Sequence, residues 1–201
     1  MRGDKGERRK KELLQIAYRM FIQKGYDKTS IDEIIAEANI AKGTYYYYFP
    51  SKEATLEAVI DMMISEETER AAQVLSAPIP LPQKIVAIIM SYRPKLEETE
   101  LADMLERQEN IVMHEKMNRC LVEKATPLLV EVVNEGIEQG IFSCNHVEER
   151  VRMILFLTRN TFDENSFTER DVEVFIDVIE KILGAEKGTM EFVKTLIGNG
   201  G

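Results

Sequence analysis

The stretch Ala41-Lys42-Gly43-Thr44-Tyr45-Tyr46-Tyr47-Tyr48-Phe49 sets four phenols beside a cation and a glycine. That combination suits contact with a polyanion. Phenol hydroxyls donate to phosphate oxygens, an ammonium neutralises them, and glycine lets the backbone approach closely. Successive residues of an α-helix turn by about 100°, so four adjacent tyrosines cannot share one buried face. Tyr45 and Phe49, four apart, can face a core together. Tyr46 and Tyr47 then point elsewhere, beside Lys42 and Gly43, and the orientation of Tyr48 is left open. Lys52, just beyond Pro50, extends the rim that phosphates would meet.

Little else in the chain has a spacing that chemistry requires. The two histidines, His114 and His146, form no His-x-x-x-His pair, and there is neither a phosphate loop nor a Gly-x-Ser-x-Gly elbow. Cys120 and Cys144 lie far apart with no metal-ligand spacing, which reads as reduced thiols in the cytosol. The many acidic residues scatter along helical stretches as solvated faces. These features point away from an enzyme and require neither a metal nor a cofactor.

Charge separates the chain into two parts. Residues 1–55 hold 11 Lys and Arg against 8 Asp and Glu, a net +3, while the remainder holds 15 against 27, a net −12. A basic head on an acidic body fits a head that meets phosphates and a body that does not. With 44% hydrophobic and 30% charged residues, the 201-residue chain has the makings of a packed core rather than of disorder. No apolar run approaches the roughly 18 residues that span a bilayer, and the first residues lack the apolar core of a signal peptide. The expectation is a cytoplasmic protein with no membrane partner.

The elements that would position the tyrosines are helices. Leu13, Ile16, Ala17, Met20 and Phe21 mark an apolar stripe along residues 8–24, which Gly25 ends. Ser30 and Glu33 have the spacing of a capping box for a short helix over 31–38. Asn39 can take the left-handed conformation of a tight turn, and a second short helix follows over 41–48. Pro50 ends it, and Ser51 can cap a fourth helix with Leu56, Val59, Ile60 and Met63 inside. Pro78, Pro80 and Pro82 then interrupt the helical pattern, and a boundary between two regions is expected there. Helical periodicity resumes at about 83–97, 99–118, 119–139, 146–163 and 168–183, with a shorter stretch near 189–197. Pro94 ends or kinks the first of these, and Thr126-Pro127 either starts a helix or kinks a longer one.

Two short helices across a tight turn have the size and order of a helix-turn-helix, whose second helix lies in the major groove of duplex DNA. Here the sequence resembles the TetR family of bacterial regulators. Thr29-Ser30-Ile31-Asp32-Glu33-Ile34, followed by Ala41 through Glu53, is similar to the family's signature across its DNA-binding domain. The resemblance covers roughly residues 10–64. It implies an all-α protein, with a three-helix head (residues 1–50) joined by a fourth helix to a helical body (51–201) for effector binding and dimerisation. It implies a homodimer on a palindromic operator, repression by default, and release by a small-molecule effector. By position, Thr29 would hold a phosphate at the start of the second helix. Lys42, Gly43, Thr44, Tyr46 and Tyr47 would face the groove or its rims, and Lys52 would touch phosphate. The family usually has Gly at Asn39 and often Ser at Ala41, so the third helix should start without a side-chain cap.

The body is similar to the family at Pro127-Leu128-Leu129 and at Glu135 through Phe142. The resemblance places a dimeric four-helix bundle at the helices near 146–163 and 168–183, where Leu155, Phe175, Ile179 and Ile182 are the candidate contacts; the same residues suit an intrachain core equally well. Tyr92, Gln108, Met113, Met117, Phe156 and Asn160 are the candidate lining for an apolar or amphipathic effector. Two readings compete: a helical binding or scaffold protein without operator recognition, and a regulator acting without a small effector. Salt-dependent binding to duplex DNA separates the first of these from a regulator.

Overall fold

A computed structural model of the chain describes residues 2–93, 111–162 and 168–198. Among them there are helices and no strand. In order these are α1 (Arg2–Lys24), α2 (Ile31–Glu37), α3 (Lys42–Tyr48), α4 (Lys52–Gln73, running into a 3-10 turn at Val74–Ser76), α5 (Leu81–Met90), α6 (Ile111–Glu138), α7 (Val147–Phe162), α8 (Glu169–Leu183) and α9 (Val193–Gly198).

The described residues fall into two compact units. One holds those up to Glu66 together with Arg93 and 111–120, and the other holds 67–92 and those from Leu121 on. The division therefore falls within α4, and the proline-rich turn at 78–82 lies inside the second unit.

In the first unit, α1 buries Leu13, Ala17 and Phe21, the same face every fourth residue. Ile34 of α2, Tyr45 of α3, and Leu56, Val59 and Ile60 of α4 are also buried. Ser51 caps α4 through its Oγ, which accepts the Ala54 N–H at 3.1 Å. The first turns of α6 are tied to α4: Lys116 pairs with Glu57, and Cys120 Sγ lies 3.5 Å from Asp61 Oδ1.

The second unit buries Ile85 and Ile88 of α5, Leu129, Val132 and Val133 of α6, and Val151, Ile154 and Leu155 of α7. Val172, Ile176, Ile179 and Leu183 of α8 are buried as well. Thr168 and Asp171 form a capping box at the start of α8, and Gly184 closes its other end in the left-handed conformation. Ser143 N–H donates to the Leu183 carbonyl at 3.0 Å, and the Arg150 guanidinium reaches the Ile182 carbonyl, so α7 and α8 are joined at that end. The buried Glu180 carboxylate accepts the N–H groups of Gly188 and Met190 and orders the turn before α9.

α1 begins at Arg2, six residues before the expected stretch, and the structure departs from the expected elements at three further places. A single helix, α6, runs through Pro127, where periodicity suggested two helices meeting at 118–119. Proline removes one backbone donor. Thr126 offers its hydroxyl to the Val122 carbonyl at 2.6 Å, and Ala125, Thr126 and Leu129 are buried around it, so continuous packing outweighs the lost bond. α5 stops at Met90, short of 97, where the Ser91 N–H turns back onto the Ala87 and Ile88 carbonyls. Pro94 lies outside the described residues. The last helix begins at Val193, four residues later than the pattern suggested.

Candidate nucleic-acid interface

The geometry of the helix-turn-helix follows from its capping chemistry. Ser30 Oγ accepts the Glu33 N–H at 3.2 Å, and Glu33 Oε2 accepts the Ser30 N–H at 2.8 Å, which completes the expected capping box. Glu33 also pairs with Lys24 at 2.5 Å. The Lys24 ammonium, with Ser30 behind it, holds the Glu33 carboxyl down at about 2. Asn39 turns the chain with φ 47°, the left-handed conformation expected of it. α3 starts at Ala41 with no side-chain cap, as a chain lacking Ser there must.

α3 divides its tyrosines as a 100° turn per residue requires. Tyr45 and Phe49 are buried, their ring centroids 6.0 Å apart. Tyr46 is 43% exposed and Tyr47 82% exposed. Tyr48 is half-buried and meets the Tyr47 ring edge-on at 5.0 Å. Lys42 is exposed, with Nζ 3.1 Å from Asp32, and this pairing raises its pKa, so it stays a cation. A Cβ on Gly43 would meet nothing within 4 Å. The free protein therefore does not need glycine at 43, and the space beside this turn is open. Thr44 is half-buried next to it.

Two expected phosphate contacts look different in the structure. Thr29 is 1% exposed, and its hydroxyl donates toward the Gly25 carbonyl at 2.9 Å and the Met20 carbonyl at 3.3 Å. Its own N–H is used on Tyr26. With both donors directed inward in the free chain, Thr29 fastens the α1–α2 loop to the end of α1. Lys52 lies with Nζ 4.1 Å over the Tyr26 ring and 3.4 Å from the Asp27 carbonyl. It is a half-exposed cation at the rim, held by a cation–π contact. Burial pushes the Tyr26 phenol up to about 12.

Sequence reasoning missed Tyr26 and Thr55. Tyr26 packs edge-on against Phe21 at 5.2 Å and carries Lys52 on its face. Thr55 receives the hydroxyl of Tyr45. A threonine four residues after Ser51, on the face it shares with Val59, was the available clue to a buried polar partner.

The described candidate effector residues divide between the two units. Tyr92 is buried, and its hydroxyl donates to Thr68 at 3.0 Å. Met113 and Met117 are half-buried on the part of α6 that belongs to the first unit. Phe156 is 65% exposed on α7. Gln108 and the side chain of Asn160 lie outside the described residues. A groove between α1 and α4 is lined by Gln15, Ile16, Arg19, Met62 and Met63, none of them in the expected set. Of the candidate dimer contacts, Leu155 and Ile179 are buried in the core of their own chain, the alternative the sequence left open, while Phe175 and Ile182 are half-buried. Among the described residues, the exposed large apolar side chains of α7 and α8 are Met153, Phe156 and Val174.

Comparison with known proteins places this architecture. Residues 13–59 match the family model for bacterial regulatory proteins of the tetR family, and residues 95–180 match a tetracyclin repressor-like C-terminal domain. The HTH-type transcriptional regulator YuxN of Bacillus subtilis is 29% identical over 115 residues, 56% of this chain; the aligned part spans only 39% of YuxN's length. The HTH-type transcriptional repressor KstR2 of Mycolicibacterium smegmatis is 25% identical over 138 residues, covering 67% of each chain. The crystal structure of RolR in complex with resorcinol shares the fold, with a TM-score of 0.67 at 18% identity over 96% of each chain. Matched at both its head and its body, the chain belongs to the TetR family of bacterial regulatory proteins.

Proposed function

We propose that the protein is a dimeric transcriptional repressor that reads a palindromic operator with α3 and leaves it when a small molecule binds the body. One observation carries the DNA-reading half. α3 turns Tyr45 and Phe49 inward and leaves Tyr47 82% exposed, with Lys42 and the open side of Gly43 on the same short helix. Large phenols left in water beside a cation gain by meeting phosphate and base edges. In this reading α2 braces the backbone, and Lys42 exchanges its exposed bond to Asp32 for a phosphate. That exchange is cheap, because exposed ion pairs are weak.

The repressor assignment is supported by the likeness to KstR2, and the effector by the likeness to RolR, solved with resorcinol. The dimer is supported by the exposed apolar Met153, Phe156 and Val174 on α7 and α8. Paired heads about 34 Å apart would enter successive major grooves on one side of the duplex. An effector would release them by binding better to a conformation with another spacing.

The test is selection of bound sequences from a random duplex DNA library at near-physiological salt. The expected result is an enriched palindrome with half-sites about one helical turn apart, or a somewhat longer dimeric spacing. Failure to enrich any sequence, with protein shown free of co-purified small molecules by native mass spectrometry, would overturn the reading.

A further inference from the structure

The basic balance of the head does not come from the helix-turn-helix. Residues 1–11 hold six Lys and Arg against two Asp and Glu, a net +4, whereas residues 12–55 hold five against six, a net −1. Counterion release from phosphates supplies most of the sequence-independent affinity for DNA. A head whose recognition unit is close to neutral must find that affinity elsewhere.

We propose that the first turns of α1, at Arg8, Arg9, Lys10 and Lys11, form a second contact to the DNA backbone, flanking the site read by α3. The inference rests on the DNA-reading assignment of α3 above. Three observations support it. The first turns of α1 lie beside the end of α3, since a Cβ on Gly6 would come 4.0 Å from the Tyr48 hydroxyl. Tyr48 is in turn edge-on to the exposed Tyr47, so the α1 start and the base-reading face are neighbours. The cations are accessible: the side chains of Arg8 and Arg9 are 82% and 49% exposed, Lys11 is exposed and Lys10 half-buried.

The free protein gains little from this cluster. Arg8 and Arg9 both lean on the one Glu12 carboxylate, at 3.3 and 3.2 Å, and so share a single negative charge. Phosphates would supply the negative charge that the cluster lacks. The stretch precedes residues 13–59, which match the family model.

The experiment measures binding to the selected operator, and to an unrelated duplex, across a range of salt. Four proteins are compared: the parent, the variant Arg8→Gln/Arg9→Gln/Lys10→Gln/Lys11→Gln, the charge-keeping variant Arg8→Lys/Arg9→Lys, and Tyr47→Ala. With one or two phosphate contacts per protomer at about 0.9 each, the glutamine variant should lower the slope of log K against log salt by about 2 to 4 for the dimer. It should weaken both duplexes alike and leave the preferred sequence unchanged, while the charge-keeping variant retains the parental slope. Tyr47→Ala should keep the slope and lose preference for the operator. Parental slope and affinity in a folded glutamine variant, with Tyr47→Ala impaired, would overturn the α1 contact and leave the reading of α3 intact. A parent that binds neither duplex would overturn both.

Discussion

The Tyr45 hydroxyl and Thr55 Oγ1 lie 2.5 Å apart in the core of the head and join α3 to α4. Thr55 gives its own proton to the Ser51 carbonyl at 3.1 Å, which leaves Tyr45 as the donor of the pair. The orientation of α3 is thus fixed by one phenol turned inward, and the neighbouring phenols are turned outward as a consequence. Burial pushes the Tyr45 phenol above its ordinary pKa, so it keeps the proton that it donates.

Removing either partner should have unequal effects. Tyr45→Phe keeps the ring and loses one hydrogen bond, while Thr55 retains Ser51; the expected loss is about 1 kcal/mol of stability. Thr55→Val leaves a buried phenol hydroxyl without an acceptor, and the expected loss is about 1 to 3 kcal/mol. Urea denaturation of both single variants and the double variant gives the comparison. If Thr55→Val is no worse than Tyr45→Phe, the direction of the bond is assigned wrongly.

Glu33 sets an acid limit on the helix-turn-helix. Its carboxyl is held at about 2 in the folded chain against an ordinary value of 4.5, so its charge favours folding above about 4.5. As the pH falls from there toward about 2, protonation releases Lys24 and the capping box, and that contribution is lost. Glu33→Gln cannot lose it again. Melting temperatures between pH 6 and 2 should therefore fall less steeply in the variant than in the parent, and the two curves should converge at the acid end. Parallel curves would mean that Glu33 is not linked to folding.

Gly136 illustrates a constraint that runs against helix propensity. In an α-helix Gly→Ala ordinarily stabilises by about 1 kcal/mol. A Cβ at 136 would overlap Cδ2 of Phe142 and lie 2.5 Å from its Cε2, on a buried ring that has little room to move. Gly136→Ala should therefore destabilise, by about 1 to 3 kcal/mol. Trimming the ring in Gly136→Ala/Phe142→Leu should recover part of that loss. A Gly136→Ala variant as stable as the parent in urea denaturation would show that the α6 end and Phe142 repack freely.

The head was more legible in the sequence than the body, for physical reasons. Capping box, turn residue and the split of the four tyrosines are local properties, set by residues within ten positions of one another. The inward turn of Thr29 was not legible, because its neighbours decide whether a hydroxyl faces out or in, and here two carbonyls at the end of α1 take it. Thr55 and Tyr26 were missed because their partners lie on other helices. In the body the same difficulty is general. Periodicity marks Leu155 and Phe156 alike as apolar, yet they point about 100° apart, and only packing shows that the first faces the core and the second the surface. Pro127 reads as a break because nothing local reveals the burial that carries α6 through it.

That distinction between Leu155 and Phe156 makes the dimer testable. Phe156 is 65% exposed and Met153 58% exposed on α7, with Val174 56% exposed on α8. In a symmetric dimer each of these residues counts twice, because both protomers present the same face. Burying one phenylalanine is worth about 1.5 to 3 kcal/mol, so its loss from both protomers should weaken association by at least about a hundredfold. Phe156→Glu should therefore run as a monomer in sedimentation velocity at concentrations where the parent is dimeric, with helix content retained. Leu155→Ala should act differently, lowering the stability of the fold by about 2 to 5 kcal/mol through the cavity it leaves. Should Phe156→Glu keep the parental dimer, α7 and α8 are not the surface through which two copies of this chain meet.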